Sequence, residues 1–151
     1  MVINLTNEKD IIVICGINEE SLDKKSKILS KNNNIKQYKI SSLEDNKNIT
    51  EELLNRNLTD KINIVEMDVY TFLSLNIEFL KRDKNIIISK IILVFEQIEN
   101  LCKMLEQSLK IRCNMHQVEI YQDSKINDVI NKAKRHNITY EITVNELANQ
   151  N

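Results

Sequence analysis

The sequence predicts an α/β domain in which a mixed sheet, an antiparallel hairpin followed by parallel strands, packs around a long central helix. Three observations lead there. Short apolar runs bounded by polar residues recur along the chain, as buried strands do. Stretches with apolar residues three and four apart separate them, as helices do. The 151 residues, 42 % apolar and 28 % charged, suffice for a single soluble domain with its own core. A Rossmann-like doubly wound sheet is the alternative.

Residues 11–15, Ile-Ile-Val-Ile-Cys, read as a central buried strand. The next segment decides the fold. Residues 19–31 form a helix if Leu22 and Leu29 suffice as its apolar face, which makes the sheet Rossmann-like. Otherwise residues 26–30 and 35–41 form two strands joined by Asn32-Asn33-Asn34, with Tyr38 and Ile40 alternating with Lys39 and Ser41. Two apolar residues are a poor helical face, so the hairpin is preferred. Residues 41–48 read as a surface loop, and Asn48-Ile49-Thr50-Glu51 as a capping box opening a helix with Ile49, Leu53 and Leu54 inward.

Residues 62–67 read as another buried strand, followed by one helical stripe of Phe72, Leu73, Leu75, Ile77, Phe79 and Leu80. Ile88, Ile91, Phe95, Ile98, Cys102, Leu105 and Leu109 then fall at alternating intervals of three and four. That seam predicts a helix of roughly 25 residues, about 37 Å long. It serves as a central core helix or, through residues 88–105 of the seam, as a homodimer interface. A strand over residues 85–94 with a shorter helix after it also fits. Val118 and Ile120 alternate as a further strand, Ser124 opens a helix with Ile126, Val129, Ile130 and Ala133 inward, and Ile138, Tyr140 and Ile142 suggest a last strand. Thr143-Val144-Asn145-Glu146 reads as a capping box for a short terminal helix.

Composition excludes several function classes. One glycine, Gly16, and no proline leave nothing from which to build a glycine-rich phosphate loop. Turns must rest on Asn and Asp. The abundance of Ile, Asn and Lys is what an AT-rich coding genome produces, as in many viruses, phages and some bacteria. With 21 basic and 22 acidic residues, any nucleic-acid contact has to be local. Lys132, Lys134 and Arg135, beside His136, are the nucleic-acid candidates, and Lys81, Arg82 and Lys84 form a second group. Cys15, Cys102 and Cys113 lack metal-site spacing and read as reduced thiols in an intracellular setting. The first residues read as no signal peptide, and no apolar run is long enough for a membrane span. His116 and His136 read as surface histidines.

Four segments carry a family resemblance: Ile11-Ile12-Val13-Ile14-Cys15-Gly16-Ile17-Asn18, residues 35–43, Ile64-Val65-Glu66 and Val144-Asn145-Glu146-Leu147-Ala148. With the hairpin, their order resembles the RNase H-like fold of RuvC-type Holliday-junction resolvases, particularly the poxvirus and phage branches. The resemblance implies a fourth-strand carboxylate at Glu66 and a late one at Glu146. Such nucleases gather three or four carboxylates around two Mg²⁺ ions. Here Gly16 stands where the first-strand Asp belongs, and Asp68 is read as pointing away from Glu66. Glu66 and Glu146 are then vestigial, and catalysis, with its Mg²⁺, has lapsed. The function implied is that of a non-catalytic resolvase-like protein, without a resident cofactor, that binds nucleic acid or a protein partner. The competing expectation is a small regulatory or interaction module, viral or phage, dimerising through the long helix.

Overall fold

A computed structural model describes residues 8–40, 49–55, 58 and 60–145. In chain order these form strand β1 (Lys9–Gly16), helix α1 (Glu19–Asn33), β2 (Gln37–Lys39), α2 (Ile49–Asn55), β3 (Ile62–Asp68), α3 (Val69–Ser74), α4 (Ile77–Lys84), β4 (Ile86–Glu96), α5 (Ile98–Leu109), α6 (Met115–Arg135) and β5 (Thr139–Asn145). The strands make one sheet in the order β2-β3-β1-β4-β5, and every pairing is parallel.

The antiparallel hairpin is therefore a wrong expectation. Its first strand, residues 26–30, lies in a 15-residue helix, α1, whose N-cap is Asn18 and whose C-cap, Asn34, is left-handed. Its second, read over residues 35–41, is present as β2 but pairs parallel with β3. The helical face is hard to see in sequence because Ser21 and Ser26 complete it beside Leu22 and Leu29. With the hairpin gone, the sheet loses the feature on which the RNase H-like resemblance rests. Helices do flank an all-parallel sheet, as in doubly wound folds. The familiar order 3-2-1-4-5 is altered here by β3 lying between β2 and β1.

The long central helix is also corrected. Its first half is the 11-residue strand β4, and only its second half is helical. A run buried on both faces satisfies any periodicity, so the three-four spacing carries no information there. The β-branched residues Ile86, Ile87, Ile88, Ile91, Ile92 and Val94 favour a strand. Residues 118–121 belong to α6, whose buried Val118, Gln122, Ile126, Val129 and Ala133 make a continuous helical stripe. The single stripe at residues 72–80 is two helices, separated where Asn76 accepts from the Phe79 N–H at 3.2 Å. Residues 143–145 end β5 rather than opening a helix; Asn48, Glu146, Leu147 and Ala148 lie outside the described residues.

Two apolar layers sandwich the sheet. The larger packs Ile11, Val13 and Cys15 of β1 against Phe72 of α3, Leu80 of α4 and Val129 of α6. The smaller packs Ile14, Ile64 and Ile92 against Leu22 of α1. A third cluster joins Leu101 and Cys102 of α5 to Val118 of α6, with Ile17 beneath. The α5–α6 pair thus extends beyond the carboxyl edge of β1. Among the described residues no helix is long and apolar enough to cross a membrane.

Candidate functional site

In open parallel sheets ligands bind outside the carboxyl ends of the strands, where the strand order reverses. Here that place is the end of β1, between β3 and β4. Gly16 closes the strand because a Cβ on it would lie 2.8 Å from the Val94 carbonyl oxygen and 3.1 Å from Leu22 Cδ2. At the following N-terminus of α1 one first-turn N–H is already taken, since Asn18 Oδ1 accepts from the Glu20 N–H at 3.0 Å. Glu19 and Glu20 occupy its first turn, so an incoming phosphate would meet like charge rather than the positive helix end.

Glu66 lies on the α1 side of β3, only 4 % exposed. Burial, then a hydrogen bond to Asp23, pushes its carboxyl group up to about 8. At neutral pH Glu66 therefore carries its proton and donates it to the Asp23 carboxylate, which that bond holds below the usual carboxylate range. Lys39 closes the cluster with ion pairs to Glu19 and, at 3.5 Å, to Asp23. The carboxyls thus pair through a shared proton and a lysine. Glu66 Oε1 remains buried without a hydrogen-bond partner.

Asp68 does not join them. It turns to the other side of the sheet and accepts a hydrogen bond from Thr71 Oγ1. Beyond it Tyr70 and Tyr121 share a hydroxyl–hydroxyl bond, and Lys125 Nζ stands 5.2 Å and 5.9 Å from the two ring centres. Burial pushes the Tyr121 hydroxyl up to about 12, helped by Tyr70 and the Asp68 charge. Among the described residues no group of three or more His, Cys, Asp or Glu side chains is placed to hold a metal ion.

The nucleic-acid candidates divide. Lys132 is buried, and its ammonium donates to the carbonyls of Phe72, Leu73 and Leu75 at 2.8, 3.1 and 2.7 Å. It closes the C-terminal end of α3, and burial lowers its pKa to about 8. Lys134 and Arg135 are exposed in the last turn of α6. His136 Nδ1 lies 3.7 Å from Glu78, which brings this turn beside α4 and its Lys81, Arg82 and Lys84.

The expected dimer seam is dispersed. Ile88 and Ile91 are buried in β4, Phe95 is partly buried against the same core, and Cys102 is buried between α5 and α6 with Ile98 and Leu105 packed beside it. Residues split between a strand and a helix cannot present a common helical face.

A row of cations along the amino edge of the sheet is visible only once the strand order is known. Lys36 precedes β2, Lys61 precedes β3, Lys9 opens β1, Lys84 lies just before β4, and Arg135 ends the helix leading into β5. In the spatial order β2-β3-β1-β4-β5 these positions span about 20 Å at the usual strand spacing. Asp10, Asp60 and Asp83 interrupt the row. At its β2–β3 end an open cavity of about 800 Å³ is lined by Ser30, Lys31, Asn34, Ile35, Lys36, Asp60, Lys61 and Ile62. The signal in sequence is a basic residue at or shortly before each strand, unreadable while two strands are misplaced. No protein-family model and no curated protein matches this chain.

Proposed function

We propose that this protein acts by binding rather than by catalysis, and that its ligand is a nucleic acid held along the amino edge of the sheet. One observation carries the reading: the lysines of three separate segments, Lys31, Lys36 and Lys61, surround one open cavity at the end of the cationic row. Helix C-termini attract cations in any fold, which accounts for Lys31, Lys84 and Arg135 without a ligand. That reason does not extend to Lys36 and Lys61, which precede strands. The carboxyl edge supports the non-catalytic part, since its acids are tied to one another and to Lys39. The nucleic-acid expectation is thus kept with Arg135 in the row, Lys36 and Lys61 added, Lys132 set aside and no claim of resolvase descent.

The test is anisotropy of labelled DNA and RNA against salt. Binding should weaken steeply as salt rises, and Lys36→Glu with Lys61→Glu should lower the salt slope by about two and the affinity at least about tenfold. No binding at low salt overturns the reading. The second reading, a protein-interaction module, is favoured by Leu109, Ile111 and Met115, three large apolar side chains exposed where α5 turns into α6. It predicts capture of a protein partner that Leu109→Lys abolishes.

A further inference from the structure

We propose that β5 is a dimerisation edge, at which a second copy of this chain pairs antiparallel and continues the sheet across a two-fold axis at Ile142. Among the described residues β5 has one sheet neighbour, β4, so its other side presents unpaired backbone N–H and C=O groups. Natural edge strands are usually shortened, bulged, or protected by proline and inward-pointing charge. This one runs seven residues, Thr-Tyr-Glu-Ile-Thr-Val-Asn, and its single charge, Glu141, is held by Lys90 at 2.7 Å. Ile142 and Val144 are each 50 % exposed on the face that Tyr140 packs into the core. Among the described residues the edge is long, β-branched and uncovered.

The chemistry of the strand selects a copy of itself. A two-fold perpendicular to the sheet keeps each face continuous, so residues of like parity must oppose one another. Centred on Ile142, all seven residues find partners. Ile142 meets the partner's Ile142 and Tyr140 meets the partner's Val144, both apolar. Glu141 meets the partner's Thr143 and Thr139 meets the partner's Asn145, so like charges never face each other. Centring on Glu141 would instead oppose two carboxylates, which is unfavourable. Antiparallel continuation also sets the amino edge of each protomer, with its row of cations, in line with the partner's carboxyl edge, where Glu19, Glu20, Asp23 and Glu99 lie. The long-range charge distribution is thus complementary in this arrangement. Two parallel copies would place like edges together.

This arrangement does not depend on nucleic-acid binding and stands or falls separately. Sedimentation of the full chain should show a reversible monomer–dimer equilibrium. Ile142→Lys, which opposes two ammonium groups at the axis, should weaken dimerisation at least about tenfold while circular dichroism and melting keep the monomer's fold. Mild oxidation of Ile142→Cys should join two chains through residue 142, because opposed strand residues approach within disulfide reach. The same treatment of Ile28→Cys, on the exposed side of α1, should not. A wild-type chain that stays monomeric at every concentration reached overturns the proposal. So does a dimer that survives Ile142→Lys, or an Ile142→Cys variant that stays uncrosslinked.

Discussion

Gln122 meets the backbone of Glu96 with both ends of its amide: Oε1 accepts from the N–H at 3.0 Å, and Nε2 donates to the carbonyl at 3.0 Å. One side chain on α6 thereby imitates a peptide neighbour at the last residue of β4. A buried amide in this position fixes where the strand stops and where α5 departs. Gln122→Leu keeps much of the volume and leaves two backbone groups without these partners. It should lower the unfolding free energy by about 2–4 kcal/mol, read from urea titration with an unchanged m-value.

Lys132 plays the same part for α3. Its ammonium collects the three carbonyls of that helix end and lies 5.2 Å from the Phe72 ring centre. Lys132→Met retains the stem and removes the charge. We expect a stability loss of about 1–3 kcal/mol with nucleic-acid affinity and salt slope unchanged, measured on the folded fraction. A fall in the slope would return Lys132 to the contact surface.

Glu66 makes stability depend on pH in a definite direction. Its carboxyl titrates at about 8 in the folded chain against a usual 4.5. Between those values the folded state holds a proton that the unfolded state has released, so this group's contribution is present at low pH and is lost as pH rises through about 8. Glu66→Gln can still donate to Asp23 and does not titrate. Melting temperatures followed from about pH 5 to about pH 9 should fall more for the wild type than for the variant.

Gly16 tests the packing at the end of β1. With a Cβ, the residue would meet the Val94 carbonyl at 2.8 Å, and backbone cannot swing aside as a side chain can. Gly16→Ala should destabilise by about 1–3 kcal/mol through displacement of β1 from β4. Amide exchange in residues 14–17 and 93–95 should rise with it.

The sequence discloses the parts whose local signals are unopposed. The first strand, the strand at residues 62–67 and the edge strand are readable because each couples a short apolar or alternating run with polar ends. The helix α1 is not, because serines supply half its buried face and only packing reveals that Ser21 and Ser26 are inward. The strand β4 is hidden by its own richness, since an unbroken apolar run matches helix and strand alike. Glu66 is identified by its place at a strand end, but its proton-sharing neighbour Asp23 lies 43 positions away and becomes a neighbour only once α1 is a helix. The cationic row needs the spatial order of all five strands.

The insertion of β3 between β2 and β1 also sets a timetable for synthesis. The central strand β1 precedes both of its neighbours in the chain, which are encoded at residues 62–68 and 86–96. No strand in the sheet pairs through a tight local turn, so every ladder must close across a long stretch of chain. Synthesis must therefore pass β4, residues 86–96, before β1 can be enclosed on both sides, and until then its Ile-Ile-Val-Ile run stays open to chaperones and to aggregation.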